Sequence, residues 1–368
     1  MTNMIDWQSQ KTHLFFNPRH PLAGEVRLGA LLRLSGHIWL ATSGTTATDP
    51  RTVKLVALSK AAFLSSAASV NRHIQSDSKD VWMKCLPDFH VGGLSIYARS
   101  HLSGAQVVDF KEKWNPLKLK EVLESKNGTL LSLVPTQVYD LVTSRCLAPT
   151  GQWRGVIVGG DSLSEDLYKK GWDFGWPLYP SYGCTECCSQ VATAKIAVSA
   201  RHLLQKTSSK SQALTVLSHI EARTNAEGLF QFKGPSLFTG YAFWQNGKTE
   251  WIDPKENGWW TSSDRGEIHA DELLFHGRNE DQIKIGGEIL NLQQLQSILD
   301  GVSKEISFHQ RAHIAAAEDP RLGYSIQLLL ESQTEASSQL IQRFNESVPP
   351  FARIRSIQIS LKKGGGTV

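Results

Sequence analysis

Three cysteines and one glutamate occupy four of the five positions from 184 to 188, in the run SYGCTECCSQ. Sulfur atoms at Cys184, Cys187 and Cys188 could belong to a metal or redox site, but a closed zinc site takes four ligands. The three cysteines of this run do not complete such a site by themselves. Glu186 offers instead an oxygen donor of the kind that a hard cation such as Mg²⁺ prefers. The run by itself leaves both kinds of site open.

A second group of chemically useful residues is TSGTTATDPRTVK, residues 42–54, which clusters hydroxyls and a glycine after an apolar segment. Backbone amides and hydroxyls in such a loop can surround phosphate oxygens. The run is not a Walker A loop, because position 49 is Asp where that motif has its second glycine. Taken alone, the run is better explained as a Ser/Thr-rich surface turn.

The segment PDFHVGGL contains a third candidate, His90. A lone histidine on an apolar face is most often a core residue whose ring nitrogens are satisfied. Gly92 and Gly93 either leave room for a bulky ligand or form a tight turn. No serine or cysteine in a nucleophile elbow accompanies the histidine, so the sequence does not support a hydrolase triad.

The segments that must position these residues alternate between strand and helix. HIWLA, residues 37–41, predicts a buried strand, and Ser59 is placed to cap the helix that follows. Further apolar runs, separated by Gly and Pro, are VWMKCLP, AQVVDF and TLLSLVPTQVYDLV. This alternation predicts an α/β fold with a parallel sheet, helices on its faces and ligands at the carboxyl ends of its strands.

From about residue 200 the sequence pattern changes to short aromatic and β-branched runs separated by Gly, which predicts an antiparallel barrel or small sheet. The run NLQQLQSILDG then predicts the first helix of a small carboxyl-terminal α+β domain. We expect a large domain at 1–278, with a β-rich subdomain at about 210–278, and a small mobile domain at 279–368.

Composition narrows the classes of protein. The 39 Lys and Arg residues against 35 Asp and Glu give a net charge of +4, which suits anionic small ligands but is far from a nucleic-acid-binding stripe. Five cysteines without a secretory signal predict reduced thiols and a cytoplasmic protein. No apolar stretch approaches the roughly 20 residues of a spanning helix, so we expect no membrane insertion.

Five segments occur in one order along the chain: TSGTT; LPDFHVGGL; VGGDSLS with SYGCTE; TSSDRGEI; and GRNEDQIKIGGEIL. This set resembles the adenylate-forming superfamily of acyl-CoA synthetases, luciferases and peptide-synthetase adenylation domains. The resemblance implies two steps, in which a carboxylate attacks the α-phosphate of ATP and a thiol, that of coenzyme A, then displaces AMP. It also implies Mg²⁺ as a cofactor and an adenylate-forming ligase fold.

Residue roles follow from the same resemblance. It implies that Tyr182 stacks on adenine, that Thr185 contacts phosphate and that Glu186 binds Mg²⁺, which leaves the cysteines incidental. It implies that Asp264 binds the ribose and that Arg278 contacts ribose and phosphate. The further ATP-binding positions are Thr42, Ser43, Gly44, Thr45, Thr46, Gly160, Asp161, Ser162 and Gly183. The acid-binding positions are His90, Gly92, Gly93, Ser189 and Gln190, and the hinge positions are Glu280 and Asp281.

The sequence departs from the superfamily pattern at three places. Ala47 replaces the second glycine of the phosphate loop, so either Arg51 or Lys54 could reach the phosphates. The subdomain that usually precedes this loop is mostly absent, so we expect a truncated amino-terminal region whose flank a second subunit covers in a homodimer. The expected carboxyl-terminal lysine lacks its usual setting, and Lys362 or Lys363 could fill its role in adenylation.

One short stretch of the sequence indicates which carboxylic acid is the substrate. Cys188, Ser189 and Gln190 follow Glu186 as a similar run does in the branch that activates o-succinylbenzoate for menaquinone synthesis. This dicarboxylate needs a second anchor, and the sequence does not say which residue supplies it. The alternatives are another aryl- or acyl-CoA ligase, or a non-catalytic paralogue that binds nucleotide or acid.

Overall fold

The computed structural model describes residues 5–18, 20, 22–26, 34–42, 52–150, 153–195, 214–278 and 282–359. These residues fall into two compact units, 5–278 and 282–359. Among them, no helix is both long enough and apolar enough to cross a membrane.

The first unit contains helices and strands in alternation, followed by strands alone. Its helices are α1 Lys60–Ile74, α2 Val91–Ser103, α3 Pro116–Ser125, α4 Pro135–Thr143 and α5 Glu165–Asp173. Its first nine strands are β1 His13–Phe15, β2 His37–Ala41, β3 Val53–Ser59, β4 Val81–Lys84, β5 Gln106–Asp109, β6 Leu130–Leu133, β7 Gly155–Val158, β8 Leu178–Cys184 and β9 Ser189–Thr193. The next seven are β10 Leu214–Val216, β11 Glu221–Thr224, β12 Leu229–Lys233, β13 Gly240–Gln245, β14 Lys248–Ile252, β15 Trp260–His269 and β16 Glu272–Arg278.

Eleven of these strands form one sheet, in the order β11-β12-β15-β16-β10-β9-β8-β7-β6-β4-β5. Strands β5, β4, β6, β7 and β8 pair in parallel, and antiparallel pairing begins where β8 meets β9. β6 and β7 are buried at every position, as parallel strands covered on both faces are. The predicted parallel sheet is confirmed, and the candidate segments lie at the carboxyl ends of β4, β7 and β8.

The other sheet of the first unit has the order β1-β2-β3-β13-β14. β3 lies between β2 and β13 and is antiparallel to both. Its side chains alternate between two cores, since Leu55 packs with Trp39 and Trp244, whereas Val56 and Leu58 pack on the opposite face. The predicted strand at 37–41 is confirmed as β2.

Helix α1 begins where the sequence predicts. The Ser59 side chain accepts a hydrogen bond from the backbone N–H of Ala62 at 3.0 Å, which confirms Ser59 as the cap. α1 is tied to α2, because Asn71 donates from its amide to the backbone carbonyl of Arg99 at 2.9 Å. Phe63 of α1 and Leu94 of α2 lie in the same hydrophobic core.

The strands after residue 214 are antiparallel as predicted, but they do not form a sheet of their own. β10, β11, β12, β15 and β16 extend the eleven-stranded sheet, and β13 and β14 complete the five-stranded sheet. The exposed pairing edges of β9 and β3 account for this arrangement, since an edge strand offers unpaired backbone groups to any later strand.

The second unit is a small α+β fold. It contains β17 Gln282–Ile285, β18 Glu288–Asn291, α6 Leu292–Glu305, β19 Ala312–Asp319, β20 Gly323–Leu330, α7 Glu335–Ser347 and β21 Ile354–Ile359. Leu299 of α6 and Leu340 and Phe344 of α7 are fully buried in its core with strand residues of the β19-β20-β21 sheet. The helix predicted from NLQQLQSILDG is confirmed as α6.

The start of α2 requires one particular glycine. A Cβ atom on Gly93 would lie 2.3 Å from the carbonyl oxygen of Pro87, whereas one on Gly92 would only contact a methyl group of Leu86 at 3.4 Å. Gly93 therefore allows the loop before His90 to pack closely on α2, as a tight turn would need.

We expect Gly93→Ala to lower the free energy of unfolding by about 1–3 kcal/mol, because backbone atoms must move to admit the methyl group. Gly92→Ala is the matched control and should change it by less than about 1 kcal/mol, in the stabilising direction. Urea denaturation of both variants measures the difference, and equal losses of stability would contradict the close approach.

Candidate active site

Glu186 lies at the tip of a tight turn. β8 ends at Cys184, Thr185–Cys187 form one turn of 3₁₀ helix, and β9 begins at Ser189. Gly183 permits this return, since a Cβ there would lie 1.9 Å from the carbonyl oxygen of Ser189. The predicted residues Gly183, Thr185 and Glu186 are thus held by the backbone geometry of the turn.

The carboxylate of Glu186 contacts two side chains from the five-stranded sheet. Its Oε1 accepts a hydrogen bond from the Tyr241 hydroxyl at 2.9 Å and lies 3.5 Å from the Lys54 ammonium. The Lys54 Nζ also lies 3.9 Å from the centre of the Tyr241 ring. We call these three residues the Lys54–Glu186–Tyr241 cluster. Its two charged side chains are nearly buried, at 11% and 12% exposure.

Lys54 is the basic candidate that the structure brings to Glu186, while Arg51 lies outside the described residues. The backbone N–H of Thr42 donates to the carbonyl of Lys54 at 3.1 Å, so Thr42 lies at the same end of the sheet. The Thr42 hydroxyl is buried and has no hydrogen-bond partner in the described structure. A buried hydroxyl without a partner is a donor that a phosphate oxygen could satisfy.

Tyr182 and Asp264 are brought together in the core. The Tyr182 hydroxyl donates to Asp264 Oδ2 at 2.8 Å, and both residues are buried. The ring of Tyr182 packs among Phe230, Phe232 and Phe275, with centroid distances of 5.4–6.0 Å. Burial, and then the charge of Asp264, raise the pKa of Tyr182 well above its usual value, so its hydroxyl stays a donor.

Asp264 also lies opposite Arg278 in the antiparallel pair of β15 and β16. Backbone register thus places the two predicted ribose-contacting residues next to each other. Stacking of Tyr182 on adenine stays a prediction, and so do the ribose contacts.

His90 is exposed at the N-cap of α2, and its ring lies 4.6 Å from that of Phe89. Its exposure excludes the alternative of a core histidine. The preceding loop is anchored by Lys84, whose ammonium lies 2.8 Å from Asp88 and 2.9 Å from Asp109. Burial lowers the pKa of Lys84, but the hydrogen bonds to these carboxylates outweigh it and raise that pKa overall. The sequence did not single out this ion-pair network.

Gly160, Asp161 and Ser162 form the turn after β7. Gly160 has a φ of +88°, and the backbone N–H of Ser162 donates to the Asp161 carboxylate at 2.8 Å. The turn lies at the carboxyl end of a parallel strand, where ligands bind in open α/β sheets. Its contact with adenine stays a prediction.

Ser189 and Gln190 are both buried on β9. Gln190 donates from Nε2 to the Thr193 hydroxyl at 2.6 Å, and the Ser189 hydroxyl accepts from Arg99 Nη2 at 3.4 Å. Arg99 was not a candidate from the sequence. Its one signal was that it is the only Lys, Arg, Asp or Glu in the helix VGGLSIYARSHLS.

Several predicted residues lie outside the described part of the chain: Ser43, Gly44, Thr45, Thr46, Arg51, Glu280, Asp281, Lys362 and Lys363. Arg278 is described for its backbone alone. The roles of these residues stay predictions.

The chemistry of the cluster fits a magnesium ion bound together with phosphates. Both polar contacts that the described residues make with the Glu186 side chain are to Oε1, so among these residues Oε2 is available as an oxygen ligand. Within the described residues no group of three or more His, Cys, Asp or Glu could hold a metal ion. A single carboxylate is nevertheless sufficient for Mg²⁺, which keeps waters and bridges nucleotide phosphates rather than filling a protein cage.

Cys187 and Cys188 are buried, and all five cysteines are free thiols. Burial raises the pKa of Cys187 and Cys188 well above the usual value. Neither thiol is therefore activated as a nucleophile.

Glu186 follows the parallel strand β8, Lys54 of the five-stranded sheet lies beside it, and the unpartnered hydroxyl of Thr42 lies at the same end of that second sheet, an arrangement suited to binding phosphate with a metal ion. Residues 38–242 match the family model described as AMP-binding enzyme, which spans more than half of the chain. The protein belongs to the AMP-binding enzyme family, and the predicted superfamily is confirmed.

Among curated proteins, it is 28% identical over 267 residues to a 2-succinylbenzoate–CoA ligase of Bacillus anthracis, covering 70% of this chain and 53% of that protein. It is 25% identical over 312 residues to the ligase of the same name from Staphylococcus aureus, covering 84% and 60%. The chain thus spans little more than half the length of such relatives.

Solved structures share the fold. A double mutant of o-succinylbenzoate CoA synthetase (MenE) from Bacillus subtilis, bound with its product analogue OSB-NCoA, gives a TM-score of 0.70 at 23% identity and covers 88% of this chain and 65% of that one. The amide bond synthetase McbA from Marinactinospora thermotolerans gives 0.71 at 19% identity, with 92% and 69% covered. The predicted adenylate-forming fold is confirmed.

We expect Glu186→Gln to reduce magnesium-dependent release of pyrophosphate roughly 10²- to 10³-fold, because it removes a fixed charge from a water-poor site. The amide oxygen can still accept from Tyr241, so the thermal midpoint should change little. Pyrophosphate exchange with Mg²⁺ titration measures the effect, and Glu227→Gln, on an exposed turn, is the control. Unchanged exchange in Glu186→Gln would remove Glu186 from the metal site.

Proposed function

We propose that this protein is an AMP-forming acid–CoA ligase that adenylates o-succinylbenzoate with ATP and Mg²⁺ and transfers the acyl group to coenzyme A, as menaquinone synthesis requires. Membership of the AMP-binding enzyme family and the names of the relatives support the reaction class. The choice of a dicarboxylate is supported by the surroundings of Arg99.

Arg99 is a buried cation without a carboxylate partner in the described structure. Its side chain is 2% exposed, its Nε and Nη1 atoms have no hydrogen-bond partner, and Nη2 makes the 3.4 Å contact to Ser189. The guanidinium also lies 5.4 Å from the ring centre of Trp82. Burial lowers the pKa of Arg99 to about 9, so the group still carries its charge at neutral pH.

A buried charge in this position destabilises the fold unless a ligand supplies the opposite charge. Removing a guanidinium from water costs several kcal/mol, and a carboxylate is the partner that matches its fork of donors. An acid with two carboxylates would place one at the reacting phosphate and the other at Arg99. Arg99 sits on α2, which starts at the predicted acid-binding segment, and touches Ser189, a predicted acid-binding residue.

In the proposed first step, an oxygen of the substrate carboxylate forms a bond to the α-phosphorus of ATP, and the bond to the leaving pyrophosphate breaks. Mg²⁺, when bound at Glu186, supplies charge compensation on the phosphates. Lys54 adds a second positive charge beside them, and the Thr42 hydroxyl can donate to a phosphate oxygen. In the second step the thiol of coenzyme A gives up its proton, its sulfur bonds to the acyl carbon, the bond from that carbon to the phosphate oxygen breaks, and AMP leaves.

We further propose a hinge at Glu280 and Asp281, an adenylation role for Lys362 or Lys363, and a homodimer. A cytoplasmic location is also proposed, supported by five free cysteines, since reduced thiols are typical of that compartment. Light scattering tests the dimer, and a monodisperse monomer would reject it.

The proposed activity is tested by incubating the protein with ATP, Mg²⁺, coenzyme A and a panel of o-succinylbenzoate, benzoates and fatty acids. Mass spectrometry should detect a thioester with o-succinylbenzoate and not with the others. A thioester with another acid would keep the mechanism and replace the substrate. No thioester, with saturable ATP binding retained, would favour a non-catalytic binding protein.

We expect Arg99→Met to reduce kcat/KM for o-succinylbenzoate by about 30-fold or more, which corresponds to 2 kcal/mol or more for a desolvated charge pair. The loss should be much smaller for the mono-methyl ester that lacks the second charge. Without ligand, the variant should unfold at higher urea concentration, since a lone buried charge is replaced by an apolar side chain. Surface Arg223→Met is the control, and equal losses for both acids would exclude Arg99 as the anchor.

A further inference from the structure

Tyr241 is the member of the Lys54–Glu186–Tyr241 cluster that carries no charge and was not predicted to contact a ligand. It lies on β13, opposite Val56 of β3 and diagonally next to Lys54. Val56 and Lys54 share one face of β3, so the side chains of Tyr241 and Lys54 meet across the pair of strands. The register of the sheet therefore fixes the ring of Tyr241 under the Lys54 ammonium.

The backbone before Tyr241 is equally constrained. The backbone N–H of Phe238 donates to the carbonyl of Glu186 at 2.8 Å, so the segment that leads into β13 is bonded to the glutamate turn. A Cβ on Gly240 would lie 2.5 Å from the Trp251 ring, so β13 and β14 approach closely here. Tyr241 is thus a rigidly held donor.

The hydroxyl of Tyr241 donates a hydrogen bond to Glu186. Carboxylate oxygens accept hydrogen bonds, so the hydroxyl is the donor in the 2.9 Å contact with Oε1.

Lys54 and Glu186 form an ion pair with 3.5 Å between Nζ and Oε1, and Tyr241 contacts both partners. The ammonium rests on its ring, 3.9 Å from the centre, and its hydroxyl donates to Oε1 at 2.9 Å.

We propose that Tyr241 is a positioning residue of the metal–nucleotide site: its hydroxyl orients the Glu186 carboxylate so that Oε2 faces the metal, and its ring holds the Lys54 ammonium for phosphate. This inference rests on the proposed function only in that the site takes a divalent cation with ATP. It is independent of which acid is activated.

The test measures metal affinity directly. Mn²⁺ is titrated into the protein with a non-hydrolysable ATP analogue and free Mn²⁺ is followed by electron paramagnetic resonance. Groups that orient a metal ligand typically change metal affinity 10- to 100-fold. We expect Tyr241→Phe to raise the half-saturating Mn²⁺ concentration by about that factor, with the nucleotide affinity without metal altered less than about twofold.

Two further variants separate positioning from structure. Tyr241→Leu removes the ring as well, so it should weaken binding of the nucleotide without metal in addition to the metal. Tyr179→Phe, a buried tyrosine on β8, is the matched control and should leave both unchanged. In Mg²⁺ titrations of pyrophosphate release, excess Mg²⁺ should restore the kcat of Tyr241→Phe to within a few-fold of the original protein.

The outcomes are distinct. An unchanged half-saturating Mn²⁺ concentration in Tyr241→Phe would overturn the inference, as would a loss of kcat that excess Mg²⁺ does not restore. If the unaltered protein fails to retain Mn²⁺ with the nucleotide, the proposed function and the inference both fall. If it retains Mn²⁺ but forms no thioester with any acid, only the proposed reaction falls, and the shift in Tyr241→Phe still decides the role of Tyr241.

Discussion

The contact between Glu186 and the Lys54–Tyr241 pair joins the two sheets of the first unit at the candidate site. Glu186 follows β8 of the eleven-stranded sheet, whereas Lys54 and Tyr241 lie on neighbouring strands of the five-stranded sheet. The two sheets therefore meet at a pair of opposite charges. The turn after β8, the register of β3 with β13 and the loop before β13 all have to be correct for these three side chains to meet.

Such a cluster is a weak source of stability. Two charges at 11% and 12% exposure lose much of their hydration, and well-packed apolar residues of similar volume often stabilise a protein as much or more. Arg99 is more extreme, since its fully buried guanidinium has no carboxylate partner among the described residues. Both arrangements are understandable if a ligand supplies the missing partner. That ligand is metal-bound phosphate at the Lys54–Glu186–Tyr241 cluster and a carboxylate at Arg99. The energetic cost of folding around these charges is then offset on binding.

Close backbone contacts surround these charged groups. Gly183 admits the return of β9, and Gly93 lets the loop before His90 rest on α2. The ion pairs of Lys84 with Asp88 and Asp109 hold that loop from its other side. Rigid supports of this kind keep charged side chains in place when no ligand compensates them, which reduces the reorganisation needed on binding.

The sequence by itself determined the elements whose signals are local. Alternation of apolar runs with helical spacing predicted the parallel sheet, and short-range capping chemistry predicted the start of α1 at Ser59. The order of five motifs identified the superfamily and selected Glu186 and Lys54 as candidates. It left Lys54 and Arg51 as equivalent choices, because both follow the same loop. Local patterns also predicted antiparallel strands after residue 214, but not that two sheets share them.

The tertiary structure alone decided which distant side chains meet. Tyr241 is 55 positions from Glu186, and Arg99 is 90 positions from Ser189, so neither contact has a signature in any short window. Contacts of this kind are set by strand order and register, which depend on the edges that β3 and β9 present to later strands. Local propensity and periodicity carry no information on that choice. The motifs could therefore be recognised from the sequence, whereas the residues that orient them were identified only from the folded structure.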